Sequence, residues 1–212
     1  MCSLISEILG DIPQPDIPDI ELHDVPGSFI ADNKDLFASR KKWHAVNNVA
    51  PRCDFAPSRA LIKPKKYFFV HCLWRRSVKG PTLSEIKASD EFVPMFANQT
   101  SAFIAKCLGS FLGSGDWAVI TPPPRRHKIK NFAQSVAALI AQNLNIKFYH
   151  DVLRARNRQR INAVYDVANI PENNNLIVYD DIVTTGSTMI ATYKALNNFN
   201  KNLIFFASIS NE

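Results

Sequence analysis

The chain has 212 residues, 46% of them hydrophobic and 21% charged, with a net charge of +6. That usage is ordinary for a globular protein and excludes wholesale disorder. No apolar run approaches the roughly 18 residues needed to span a bilayer, and no basic-then-apolar leader opens the chain, so a cytoplasmic protein without membrane contact is expected.

The charge is unevenly placed. Residues 1–40 hold eight acidic and two basic side chains, whereas residues 41–80 hold ten basic and one acidic. Positions 125–160 carry nine basic residues against Asp151 alone. Such blocks mark either solvated basic faces or anionic partners: phosphates, nucleic acid or the chain's own acidic segment. Cys2, Cys53, Cys72 and Cys107 are scattered without a C-x-x-C pair, which excludes a zinc ribbon or a dense disulfide framework and leaves ordinary reduced thiols.

In chain order, "DIPQPDIPDIELHDVP" has prolines too frequent for a helix or a central strand. It reads either as an extended arm lying over a domain or partner surface, or as a disordered tail. The arm is expected over residues 1–60 and an α/β domain over 61–212. "KYFFVHCLW" reads as a buried strand and "TLSEIKASDEF" as a helix opened by a capping box, Thr82 and Glu85. Phe96, Phe103, Ile104, Cys107, Leu108, Phe111 and Leu112 fall mostly at helical spacing. "DWAVIT" is a short buried strand ending at Pro122–Pro124, "FAQSVAALIAQNL" an amphipathic helix and "IKFYHDVLR" a strand. "NLIVYDD", "STMIATYKALNNF" and "NLIFFASIS" then read as strand, helix and strand. Strands alternating with helices from Trp117 onward predict a mainly parallel sheet with helices on both faces.

The chemistry concentrates in "LIVYDDIVTTGST", Leu176 to Thr188. In an open parallel sheet, ligands bind beyond the carboxyl ends of the strands, which puts Asp180 and Asp181 at the rim. The loop after them would expose amides at a helix N-terminus, with Gly186 allowing close approach and Thr184, Thr185, Ser187 and Thr188 adding hydroxyls. Two carboxylates beside a phosphate cradle suit a sugar phosphate. They accept hydrogen bonds from vicinal hydroxyls, can orient magnesium, and can stabilise an oxocarbenium-like carbon. A Walker A loop would need a lysine after Gly186, and a G-x-G-x-x-G turn is absent. The competing structural reading has Asp181 or Thr185 merely capping the helix.

These thirteen residues resemble the phosphoribosyl-pyrophosphate signature of the type I phosphoribosyltransferases. "ITPPPRRHKIKNFAQSVAALIA" and "LRARNRQRINAVYDV" are similar to elements of the competence-associated ComF/GntX-like branch, so the resemblance spans Trp117 to Ser210, the motif-bearing core 117–210. The resemblance implies the type I phosphoribosyltransferase fold, a mainly parallel sheet flanked by helices, with an N-terminal extended arm and a small hood-like region. It also implies transfer of ribose 5-phosphate from phosphoribosyl pyrophosphate to a nitrogen nucleophile, with Mg2+ as cofactor and pyrophosphate as leaving group. Asp180 and Asp181 would contact the ribose hydroxyls and hold the metal, directly or through water. Val183, Thr184, Thr185, Gly186, Ser187 and Thr188 would bind the 5-phosphate.

Pyrophosphate would meet Thr121, Pro122, Arg125, Arg126, Lys128 and Lys130, where the family's pyrophosphate loop lies, and arginine forks suit that role. The alternative is an exposed basic loop without a ligand. His127 reads as a phosphate neighbour rather than a general base, because the surrounding cations lower its pKa. Arg154, Arg156, Arg158 and Arg160 alternate and would share one face of an extended segment. That segment matches the family's mobile loop, giving Arg156 and Arg158 a catalytic place beside Asp180 and Asp181. Nucleic-acid contact is the competing use of these arginines. The 6-oxopurine enzymes carry an acid two residues before the motif glycine; here that residue is Thr184, which argues against hypoxanthine or guanine. A non-catalytic sensor of phosphoribosyl pyrophosphate or a ribonucleotide, on the same fold, is the second functional class. A homodimer exchanging the proline-rich arm is a further expectation.

Overall fold

The computed structural model describes residues 50–56, 60–124, 131–156 and 163–211. The proline-rich segment expected as an arm, the basic run Arg125–Lys130, and Arg158 and Arg160 lie outside the described residues. Ala50–Glu212 forms one unit. It takes in Cys53 and Phe55, which the expected 60/61 boundary leaves in the arm: Cys53 is fully buried and Phe55 packs beside it in the same core.

The first hairpin comprises β1 (Leu61–Pro64) and β2 (Phe69–Arg75), paired antiparallel. Helix α1 (Leu83–Ala88) starts at Thr82, whose side chain accepts from the Glu85 amide while the Glu85 carboxylate accepts from the Thr82 amide. Both halves of the predicted capping box therefore form. The helix stops at Ser89, and α2 (Phe92–Leu108) begins separately. Gly109, at φ 53°, then turns the chain into the short α3 (Ser110–Ser114).

Strand β3 (Trp117–Ile120) leads through α4 (Phe132–Asn143) to β4 (Lys147–Tyr149). The single strand expected over "IKFYHDVLR" is in fact two strands in two sheets. β4 pairs with β3, whereas β5 (Leu153–Ala155) pairs antiparallel with β6 (Tyr165–Val167) in a separate small sheet. β7 (Asn175–Val183), α5 (Ser187–Leu196) and β8 (Asn202–Ser210) complete the unit.

The main sheet has six strands in the order β1-β2-β8-β7-β3-β4, parallel throughout except at β1. Residues 61–108 thus add two strands and two helices to the main body. The mixed α/β architecture with a mainly parallel sheet is the expected fold class.

β7 explains how the layers are built. Successive side chains on a strand point to opposite faces, and β7 is apolar on both. Ile177 and Tyr179 belong to one core with Val136, Ala137 and Ile140 of α4 and with Phe96 and Ile104 of α2. Leu176 and Val178 belong to the other, with Met189, Ala191 and Leu196 of α5 and with Leu153 and Tyr165 of the small sheet. α4 and α5 therefore cover opposite faces. From the neighbouring strands β3 and β7 the chain departs in opposite directions, to β4 and to β8. That is a topological switch point, where a crevice opens beyond the strand ends.

Beneath this crevice Tyr179 is fully buried, and its hydroxyl lies 2.8 Å from Ser208 Oγ, itself 3.0 Å from Thr100 Oγ1. Burial pushes the Tyr179 phenol well above its ordinary value, so it stays a neutral link between β7, β8 and α2. Cys53 and Cys72 are buried free thiols in different cores, and burial raises Cys72 to about 11. No described helix is long and apolar enough to cross a membrane.

One pH dependence follows from the β2–β8 contact. His71 stacks on Phe206 with ring centroids 5.1 Å apart, and burial holds its pKa below the ordinary imidazole value. A depressed value means that the unfolded chain takes up the proton first. Its stabilising contribution is full above about pH 6.5 and is lost as the pH falls through the folded-state value. Thermal melts at about pH 7.5 and pH 5.5 should differ in the wild type, and the difference should shrink in His71→Phe. An unchanged difference would place the acid sensitivity elsewhere.

Candidate ligand-binding cleft

The carboxyl ends of β3 and β7 open into a cleft of about 700 Å3. Its walls are Pro122–Pro124, Asn131 and Ala133 on one side, and the continuous run Asp180 to Met189 on the other, with Lys87 at the edge. One cavity therefore takes in both aspartates and all of the loop residues expected to bind ribose 5-phosphate: Val183, Thr184, Thr185, Gly186, Ser187 and Thr188. A second depression, lined by Asp116, Trp117, Asn145 and Lys147 among others, lies at the amino ends of β3 and β4 and holds none of the expected site residues.

The two aspartates differ. Asp180 is half-buried, and its Oδ1 accepts the Asp181 amide at 3.0 Å. Asp181 is 6% exposed, and both of its oxygens meet the Lys87 ammonium, Oδ1 at 2.9 Å and Oδ2 at 2.7 Å. Lys87 comes from the last turn of α1, whose neighbouring Ile86 is buried in the core. No feature of the sequence marks this lysine as a site residue. The capping box sets where α1 begins, but only the packing of α1 beside β7 brings the two side chains together.

The loop is built as a backbone cradle. Gly186 sits at φ 79°, ψ 9°, a left-handed conformation that L side chains rarely adopt, and it directly precedes α5. Gly186 at the N-cap has no side chain, and Asp181 does not cap the helix. Instead Thr185 Oγ1 lies 2.8 Å from Ser187 Oγ and 3.4 Å from the Ser187 amide, which closes the loop on itself. Thr184 and Thr185 are exposed, and Ser187 and Thr188 are half-buried. First-turn amides and the helix dipole give this end a partial positive charge suited to an anion.

Lys65, from the turn between β1 and β2, lies against the loop: a Cβ at Gly186 would stand 2.8 Å from Lys65 Cε. Replacing Gly186 by alanine forces a left-handed alanine, at roughly 1–2 kcal/mol, and displaces the flexible lysine end. The expected result is a melting temperature lowered by about 2–8 °C. An unchanged melt would show that the left-handed geometry is not required.

On the β3 side, Thr121 is 2% exposed, and its hydroxyl has no hydrogen-bond partner among the described residues. Pro122 and Pro123 are buried beside it and line the cleft. Arg156 does not line the cleft. It stands on the β5–β6 hairpin, where its Nε reaches Asp166 Oδ2 at 3.0 Å and its Nη2 bonds Oδ1. Arg156 is thus engaged across its own hairpin, and Asp166 is held below the ordinary carboxylate range mainly by that hydrogen bond. Among the described residues no group of three His, Cys, Asp or Glu side chains is placed to hold a metal ion. Magnesium would have to bring most of its ligands with it and meet Asp180, because Asp181 already faces an ammonium on both oxygens.

No family model matches the sequence, and no curated protein matches it. Solved structures similar to it include an orotate phosphoribosyltransferase from Aeropyrum pernix, at 17% identity and TM-score 0.40, covering 61% of this chain and 64% of that one. An adenine phosphoribosyltransferase from Saccharomyces cerevisiae, complexed with an imino-altritol bisphosphate and adenine, is similar at 13% identity and TM-score 0.41, covering 80% and 89%. The adenine phosphoribosyltransferase from Leishmania donovani is similar at 11% identity and TM-score 0.40, covering 76% of each chain.

Proposed function

We propose that the cleft binds phosphoribosyl pyrophosphate and that the protein is a phosphoribosyltransferase of the type I class. One observation carries this: a carboxylate rim, Asp180 and Asp181, runs within a single cleft into a helix start behind a left-handed glycine. A phosphate alone would be repelled by the rim, and a sugar alone would have no use for the cradle. A sugar phosphate uses both ends.

In this reading, amides and hydroxyls of Thr184 to Thr188 hold the 5-phosphate, and Asp180 accepts hydrogen bonds from the ribose hydroxyls. The bond from C1 to the pyrophosphate oxygen breaks with its electron pair leaving on pyrophosphate, a bond from C1 to nitrogen forms, and the proton released from that nitrogen passes to water. The carboxylates stabilise the positive charge that develops on the ring. Magnesium, when bound, neutralises the pyrophosphate. Thr121, which follows β3 and whose buried hydroxyl has no partner among the described residues, would meet a leaving-group oxygen. The basic residues Arg125, Arg126, Lys128 and Lys130 belong to the same proposal, as does closure of the segment carrying Arg158. Thr184 gives the cleft a hydroxyl rather than an acid, which favours an acceptor other than a 6-oxopurine.

Calorimetry with phosphoribosyl pyrophosphate and Mg2+ tests the reading, with Asp180→Asn as the control. Binding lost in the variant, with pyrophosphate release in the presence of an accepted base, supports it. No binding by the wild type overturns it. Binding without release across a panel of bases would make the protein a sensor of the same ligand.

A further inference from the structure

We propose that Lys87 is the resident cation of the acidic rim: it neutralises Asp181, excludes a divalent metal from it, and offers its remaining N–H to the bound anion. The exclusion of metal rests on the Lys87–Asp181 geometry alone; the ligand's identity as a sugar phosphate rests on the function proposed above.

Consecutive carboxylates at a strand end, one of them nearly buried, would carry two negative charges into a cleft meant for an anion. Burying an uncompensated carboxylate is costly, and like charges so close disfavour joint ionisation. Lys87 removes both difficulties. Its ammonium lies within 2.9 Å of both Asp181 oxygens, so neither is left for a metal without displacing it. An ammonium has three donors. Two face Asp181, which leaves one for a hydroxyl or phosphate oxygen in the cleft that Lys87 helps to line.

The lysine is also held in place from behind. α1 is fixed at its start by the Thr82–Glu85 capping box and anchored by Ile86, which is 1% exposed. The Lys87 side chain remains 42% exposed, so its free face is open to a ligand. Lys87 therefore offsets the Asp181 charge at the rim.

Mn2+ binding to the full chain, read by water-proton relaxation with no sugar phosphate present, tests this directly. Lys87→Met should bind Mn2+ at least about tenfold more tightly than the wild type, because a carboxylate freed of its ammonium becomes a metal ligand. Lys87→Arg should match the wild type, and Lys87→Met/Asp181→Asn should lose the gain. Equal Mn2+ affinity in the wild type and Lys87→Met overturns the proposal. If Lys87→Met does not fold, Asp181→Asn alone decides. Unchanged Mn2+ affinity agrees with a carboxylate already closed to metal, and a drop of about tenfold or more overturns it.

A second arm titrates ribose 5-phosphate in the presence of a chelator. The wild type should bind without metal, and Lys87→Met about tenfold more weakly, as one charge-assisted hydrogen bond is lost. Failure of every protein to bind ribose 5-phosphate, with or without metal, would overturn the sugar-phosphate reading, while the Mn2+ result would still decide the role of Lys87.

Discussion

Asp180→Asn is expected to weaken phosphoribosyl pyrophosphate binding about 10- to 100-fold while leaving the fold intact. A hydrogen bond to a charged group contributes roughly 1.5–3 kcal/mol, and each 1.4 kcal/mol is about tenfold in affinity. Asp180 is half-buried, and its Oδ1 accepts the Asp181 amide at 3.0 Å. An asparagine oxygen can accept that same bond, so the β7 rim should keep its shape. Asp181→Asn is a different experiment, because it also deprives Lys87 of its ion pair. Calorimetry on the two single variants separates the effects, with a thermal melt of each as a check on folding. Asp180→Asn binding as tightly as the wild type would mean that the ribose hydroxyls do not sit on that carboxylate.

Phe96→Ala is expected to cost the largest share of stability, roughly 3–5 kcal/mol. Phe96 is fully buried on α2 and joins elements far apart in the chain. Its ring meets Trp74 of β2 at 5.0 Å, Phe132 of α4 at 5.2 Å and Phe55 at 5.7 Å, all edge-on. Edge-to-face pairs add attraction beyond buried area, and three are lost together. Against a typical total of about 5–15 kcal/mol the variant stands near the limit of folding. Its melting temperature should fall by about 10 °C or more. A melt within about 2 °C of the wild type would show that this core collapses around the gap and leaves no cavity.

Much of the fold was legible because its signals are local. The apolar run Leu176–Tyr179 marked β7, but not its end: the strand continues through Asp180 and Asp181 to Val183, because Ile182 and Val183 keep pairing with β8. The Thr-x-x-Glu box placed the start of α1 because it is satisfied within one helical turn. The loop before α5 could be read as a cradle because glycine and hydroxyl residues there have few other uses. The division of "IKFYHDVLR" was not legible: β4 and β5 have the same alternation, and periodicity carries no mark of a change of sheet. The small sheet formed with Tyr165–Val167 depends on a partner strand, and that is information a window of sequence does not contain.

Arg156 shows the same limit in the site. Alternate spacing predicted a shared arginine face, and the register of the β5–β6 hairpin then set Asp166 beside Arg156. The spacing was readable because it repeats every second residue, whereas the partner was set by strand pairing.

By itself the sequence determined the alternation of the main strands and helices from Trp117 onward, the acidic rim and the loop that follows it, since each depends on neighbours within a few residues. The tertiary structure alone decided that β3 and β7 lie side by side, so that Pro122 and Asp180 border one cleft. It alone set Lys87 against Asp181, 94 residues away in the chain. The reason is physical: an ion pair at 2.7 Å is fixed by how α1 packs beside the end of β7, and that packing is settled by the shared core of Ile86, Phe96 and Tyr179 rather than by the two charges.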